Sequence, residues 1–180
     1  MTSYIDLAAL HDPTLGVVVP VAWLDGINTN FQVLRADACL VKRTSNQTLA
    51  NDTPTNILFN AEREDSNAMH DNSTNPDRIN ILRTGIYLVS VSFLQFTAHA
   101  TGFDYYSIQV NGGTADLAYE IKPANSSIDN TFNVSFITRL AASDYLTVLA
   151  CQTSGGNLDI IYDSDGARPN FGVTLLKDLT

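Results

Sequence analysis

GIYLVSVSF (85–93), continued by LQF to residue 96, decides the fold. β-branched and aromatic residues dominate it, and side chains of an extended chain alternate between two faces. Tyr87, Val89, Val91 and Phe93 fall on one face, and Ile86, Leu88, Ser90, Ser92, Leu94 and Phe96 on the other. A strand in a solitary sandwich should be apolar on one side and polar on the other. Here the second side is still apolar at both ends, with small residues between. The pattern predicts a strand whose outer face is covered by another subunit, through Ile86, Leu88, Leu94 and Phe96.

The grammar continues on both sides. FDYYSIQVNGG (103–113), FNVSFITRL (132–140), DYLTVLACQ (144–152) and NFGVTLLKDL (170–179) are short β-rich runs separated by turn residues, which predicts antiparallel strands. In FNVSFITRL, Phe132, Val134, Phe136 and Leu140 point inward, and Asn133, Ser135 and Arg139 outward. NGG (111–113) reads as a hairpin turn, because Asn-Gly supplies positive φ. Upstream, ACLVKR (38–43) alternates, and TPTNILFNAERED (53–65) predicts a strand centred on Ile57 to Phe59 followed by a charged stretch. A polar loop, SNAMHDNSTNPDR (66–78), and INIL (79–82) lead into the central strand.

Residues 1–36 differ from the rest. After Pro20, apolar residues fall at Val21, Trp23, Leu24, Ile27, Phe31 and Leu34. Spacings of three and four predict a short amphipathic helix. Such a segment either packs under its own barrel or docks onto something larger. In the second case Trp23, Leu24, Ile27 and Phe31 are the anchoring residues. The expected division is an arm at 1–36 and a β domain at 37–180.

Bulk properties narrow the function. A chain of 180 residues suits one β domain after its arm. The net charge of −9, without a cluster of Lys or Arg, argues against nucleic acid and anionic membranes as partners. No run approaches the roughly 18–20 apolar residues of a membrane helix. MTSYIDLAALHD lacks a basic and then apolar leader, so the chain is expected to be made and kept in a cytoplasm. Cys39 and Cys151 each sit in an apolar run and read as buried small hydrophobes.

Two resemblances add to this reading. Gly85-Ile86-Tyr87-Leu88-Val89 resembles the Gly-x-Tyr-x-hydrophobic strand of tumour necrosis factor ligands and complement globular heads. LAASDYLTV (140–148) resembles their Leu-x-x-Gly-Asp-x-hydrophobic turn, with Ser143 in place of the glycine. Phe171-Gly172-Val173-Thr174-Leu175-Leu176 resembles their closing strand. The resemblance, over residues 38–179, implies an all-β antiparallel jelly-roll sandwich that works as a homotrimer and binds rather than catalyses. Separately, VPVAWLDGINTNFQVL (19–34) resembles a segment that opens many tailed-bacteriophage virion proteins, with Asp25 where Asn is common. FNAEREDSNAMHDNSTNPDRI (59–79) resembles a segment of jelly-roll modules in phage head-fibre, decoration and tail proteins. These imply a virion protein, assembled in the host cytoplasm, whose partners are its own copies and the major capsid protein or another virion protein. The alternative is a tail or fibre-tip module that binds a host surface glycan through Tyr105, Tyr106 and Tyr119.

No enzymatic constellation is legible. His11, His70 and His99 lie in no metal spacing, and neither a nucleophile elbow nor a phosphate-binding glycine loop occurs. The acidic group Glu62, Glu64, Asp65, Asp71 and Asp77, with His70 and Arg78, lacks the ligand spacing of a calcium loop and reads as solvated. The same holds for DSDG (163–166). No cofactor and no metal are therefore expected.

Overall fold

The computed structural model describes residues 37–113, 116–163 and 169–179, and leaves out the side chains of 93–95. All these residues belong to one compact unit, Ala36–Thr180. The arm at 1–36, with Trp23, Leu24, Ile27 and Phe31, lies outside the described residues. Among the described residues, twelve strands, all paired antiparallel, form two sheets.

In the seven-stranded sheet, β9 (Asn130–Leu140), β6 (Gly85–Phe96), β12 (Asn170–Asp178), β1 (Ala38–Lys42) and β4 (Ala61–Asp65) lie side by side. β11 (Leu158–Ile160) and β2 (Gln47–Leu49) extend it from the far end of β6. The five-stranded sheet runs β8 (Asp116–Pro123), β7 (Phe103–Val110), β10 (Tyr145–Gln152), with β3 (Thr55–Asn56) and β5 (Arg78–Asn80) both paired to β10.

The core fills the space between the sheets. Tyr87, Val89 and Val91 of β6 meet Tyr106, Ile108, Leu146 and Val148 of the other sheet's strands within one buried cluster. Tyr106 stacks on Phe132 with ring centres 5.3 Å apart and lies 5.4 Å from Phe96. Its hydroxyl donates to the Asn130 carbonyl at 2.9 Å, and the Tyr87 hydroxyl to that of Arg83 at 2.8 Å. Buried phenols find partners because an unmet hydroxyl in an apolar core costs about 1–3 kcal/mol. At the start of β1, Asp37 is fully buried, and its carboxylate takes the Arg83 guanidinium at 3.2 Å.

Two turns and the first glycine of β6 match or refine the expected grammar. Asn111 and Gly112 both have positive φ, and Gly113 N–H closes on the Val110 carbonyl at 2.9 Å. That is the backbone of the two-residue hairpin the NGG triplet predicts. Ser143 stands at φ +75°, in the left-handed region that favours glycine. Gly85 has a different reason: a Cβ there would lie 2.7 Å from the Lys177 carbonyl oxygen and against the Leu175 side chain.

Two expectations are corrected. The strand expected to centre on Ile57 to Phe59 does not form; strands lie on either side of it, β3 in the five-stranded sheet and β4, in the charged stretch, in the seven-stranded one. Ile57 and Phe59, both fully buried, lie in the crossing between them. The second correction concerns β6. Its pairing with β9 slips between Val91 and Leu94, where three steps along β6 match two along β9. A bulge of this kind exchanges the two faces for everything beyond it. Phe96 therefore leaves the outer face and is wholly buried against Tyr106. The Leu94 side chain lies outside the described part.

Candidate functional site

The outer face of the seven-stranded sheet is built by register. Leu88 stands between Ile137 of β9 and Thr174 of β12, and Thr174 pairs in turn with Ala38. Leu88 is 38% exposed and Ile137 65%. One row up, Ile86 stands between Arg139 and Lys177. One row down, Ser90 stands between Ser135 and Gly172, and Gly172 pairs with Leu40, which pairs with Glu64.

The small residues of the lower row make an open groove of about 310 Å³, edged by Leu40, Leu88 and Glu64. Gly172 keeps its floor low, since a Cβ there would come within 3.2 Å of Leu40 Cδ1 and Ser90 Oγ. The face is thus an apolar centre with two cations above and a carboxylate at one edge. Exposed leucine and isoleucine side by side on one sheet face mark an interaction surface more than isolated surface hydrophobes do. Of the residues read from the sequence as the interface, Ile86 and Leu88 occupy this face and Phe96 does not. Ile137 and Leu40, which the strand alternation places here, complete it.

The glycan candidates divide in the same way. Tyr105 and Tyr119 share the outer face of the five-stranded sheet, with ring centres 6.4 Å apart, and Tyr119 is 65% exposed. Tyr106 is fully buried in the core and is withdrawn as a ligand contact. Adjacent positions of one strand must face opposite ways, so Tyr105 and Tyr106 cannot serve one surface. The Tyr105 hydroxyl donates to Asp116. Burial, then that bond, pushes its pKa up.

The titratable groups of the 62–78 region do not converge. Asp65 accepts the backbone N–H groups of Met69 (2.8 Å) and His70 (3.0 Å), Asp71 those of Ser73 and Thr74, and Asp77 the Asn56 amide. Glu62 accepts from Asn72. The Arg78 guanidinium lies over the Tyr145 ring, 4.8 Å from its centre. Among the described residues no group of three or more His, Cys, Asp or Glu side chains is placed to hold a metal.

The two described histidines differ: both ring nitrogens of His70 face backbone carbonyls, whereas His99 Nε2 lies within ion-pair distance of Asp104 without a hydrogen bond. His70, nearly buried, faces the Arg78 carbonyl at 2.9 Å and the Phe59 carbonyl at 3.0 Å. His99 faces the Thr97 carbonyl at 3.1 Å and the fully buried Asp104 carboxylate at 3.5 Å. Burial raises the Asp104 pKa, against the Asn130 hydrogen bond and the charges of His99 and Lys122. Cys39 and Cys151 are free and buried.

No protein-family model and no curated protein sequence matches the chain. Solved structures do match. The Eiger TNF of S. frugiperda superimposes with a TM-score of 0.59 at 15% identity, covering 81% of this chain and 95% of that one. Murine APRIL at pH 5.0 gives 0.55 at 16% identity, covering 78% and 99%. The globular domain of zebrafish complement 1qA protein gives 0.54 at 12% identity, covering 79% and 98%. The fold is the TNF-like antiparallel jelly roll that the Gly85–Val89 and Phe171–Leu176 wording implies.

Proposed function

We propose that this chain is a structural protein of a tailed-bacteriophage virion, a homotrimeric jelly roll that decorates the capsid or forms a short head fibre. Residues 1–36 hold it to the major capsid protein or another virion protein, and its loops face outward. The observation that carries the self-association is the row Leu88–Ile137, exposed in a single subunit on an otherwise ordered sheet face. Three copies around one axis would bury that row, and obligate interfaces bury on the order of 2,000 Å² or more. The wording of residues 19–34 and 59–79 supports the virion setting. Multivalent attachment then turns weak single contacts into durable binding.

Quantitative mass spectrometry of gradient-purified particles of the phage that encodes the chain tests the proposal. The expected result is a fixed copy number per particle, in a simple ratio to the major capsid protein. Absence from purified particles would overturn the virion reading. Trp23→Ala should weaken attachment strongly, since a docked tryptophan is commonly a dominant contact. The adhesion alternative draws on a different surface, the outer side of the five-stranded sheet, where Tyr105 and Tyr119 lie together.

A further inference from the structure

Two buried polar atoms without a hydrogen bond face each other at the start of β7: His99 Nε2 and Asp104 Oδ1, 3.5 Å apart. The His99 side chain is 6% exposed and that of Asp104 not at all. Asp104 points into the sandwich, as the buried Tyr106 two residues further along β7 does. Its second oxygen accepts from the Asn130 amide at 2.8 Å. Buried polar atoms are ordinarily paired, so two orphans turned toward each other need a reason.

The missing piece is a proton. His99 Nδ1 lies 3.1 Å from the Thr97 carbonyl, which can only accept, so Nδ1 carries the hydrogen. A neutral ring then turns its Nε2 lone pair toward the Asp104 carboxylate, two acceptors out of reach of water. One added proton, on Nε2 or on Oδ1, converts that repulsion into attraction. Burial pushes the Asp104 pKa up, against the Asn130 hydrogen bond and the charges of His99 and Lys122, in the direction this geometry requires. The other charges nearby are engaged elsewhere. Lys122, opposite Asp104 on β8, donates to the Thr131 carbonyl and pairs with Glu120 at 3.3 Å. Asp129 accepts the Ala98 N–H at 2.7 Å. Gln152, opposite Asp104 on β10, is neutral, and 97–102 holds no other titratable side chain.

The pair stands where two loops meet, 97–102 between β6 and β7 and 124–129 between β8 and β9. His99 N–H donates to the Asn125 carbonyl at 3.0 Å, and Ala124 N–H to that of Gly102 at 2.9 Å. Asn130 ties Asp104 to the Pro123 carbonyl. We propose that His99 and Asp104 share one proton and form a pH-sensitive latch that holds these two loops together. The unfolded chain gives up that proton above about pH 6.5, the ordinary value of an imidazole, whereas the closed pair holds it more tightly. The latch is therefore fully closed below that pH and loosens as pH rises. Asp104 belongs to the five-stranded sheet, so the latch depends neither on the Leu88–Ile137 row nor on the virion reading.

Native-state hydrogen exchange of the full chain, corrected for the intrinsic pH dependence of exchange, tests it from about pH 6 to about pH 9. Protection of the His99 and Ala124 amides should fall as pH rises, by up to about tenfold per pH unit for one linked proton. Asp104→Asn keeps an oxygen for Asn130 and offers Nε2 an N–H, so the pair closes without the extra proton. Protection of the same amides should then be level across the range. Proton–nitrogen correlation spectra of the wild-type ring give a second reading that needs no variant: neutral His99 should carry its hydrogen on Nδ1. Wild-type protection independent of pH, or a neutral ring protonated on Nε2, overturns the proposal. So does a pH dependence untouched by Asp104→Asn, which would assign it to another group such as His70.

Discussion

Replacing Ser143 by glycine should stabilise the domain. Ser143 is exposed, in the turn between β9 and β10, and its φ of +75° lies where a Cβ crowds the following carbonyl. That conformation costs a non-glycine residue about 1–2 kcal/mol. Glycine's greater freedom in the unfolded chain returns about 0.4–1 kcal/mol of the gain. The net expectation is about 0.5–1 kcal/mol in favour of the variant, or about 1–4 °C in melting temperature for a domain of this length. The measurement is thermal unfolding by circular dichroism, with wild type, Ser143→Gly and Ser143→Ala at one protein concentration, because association shifts apparent stability by mass action. Alanine keeps the Cβ and so keeps the strain. If the glycine variant melts no higher than the alanine variant, the left-handed turn is not the source of strain and the reasoning fails.

Other perturbations read other parts of the fold. Gly85→Ala should destabilise by about 1–3 kcal/mol, because its Cβ would meet the Lys177 carbonyl as well as the Leu175 side chain; a neutral result in chemical denaturation would contradict that packing. Cys39 should stay inert to thiol reagents at pH 8 in the native protein and react at once in denaturant. Burial first, then Asp65 and Glu62, pushes its pKa up to about 12. The backbone N–H groups of Thr74 and then Ser73 hold the Asp71 pKa down to about 2 from 3.8. A depressed value stabilises the fold above pH 3.8 and loses that stabilisation as pH falls toward 2. Asp71→Asn should therefore flatten this part of the acid unfolding profile, and an unchanged acid slope would refute the assignment.

Much of the fold was legible because periodicity carries it. The alternation of FNVSFITRL placed Phe132 and Leu140 inward and Asn133, Ser135 and Arg139 outward, as the structure has them. The Asn-Gly turn was legible for an equally local reason. Phe96 was misplaced because alternation holds only while register holds, and the slip after Val91 leaves no mark in composition. Tyr106 was misplaced because aromatic identity does not tell a ligand platform from a core ring, although its position next to Tyr105 carried the warning.

The polar contacts of the buried Arg43 had no signal in the sequence. Arg43 is buried and donates to the Ser45 and Asn46 carbonyls and to Gln47 and Leu58, an arrangement that only the folded turn assembles. Ile137 and Leu40 belonged to the candidate interface by alternation, but their neighbourhood with Leu88 also needed the order of β9, β6, β12 and β1.

The central claim is that the outer face of the seven-stranded sheet is buried between copies of the chain, and molar mass in solution tests it most directly. Size-exclusion chromatography with light scattering at micromolar concentration should give three times the chain mass of 19.6 kDa. Leu88→Asp should give the single-chain mass with the β-sheet spectrum intact. Its side chain is already 38% exposed in one subunit, whereas an unpaired charge in the closed interface costs several kcal/mol. A wild-type chain that elutes at 19.6 kDa would contradict the account, and so would a trimer indifferent to aspartate at position 88.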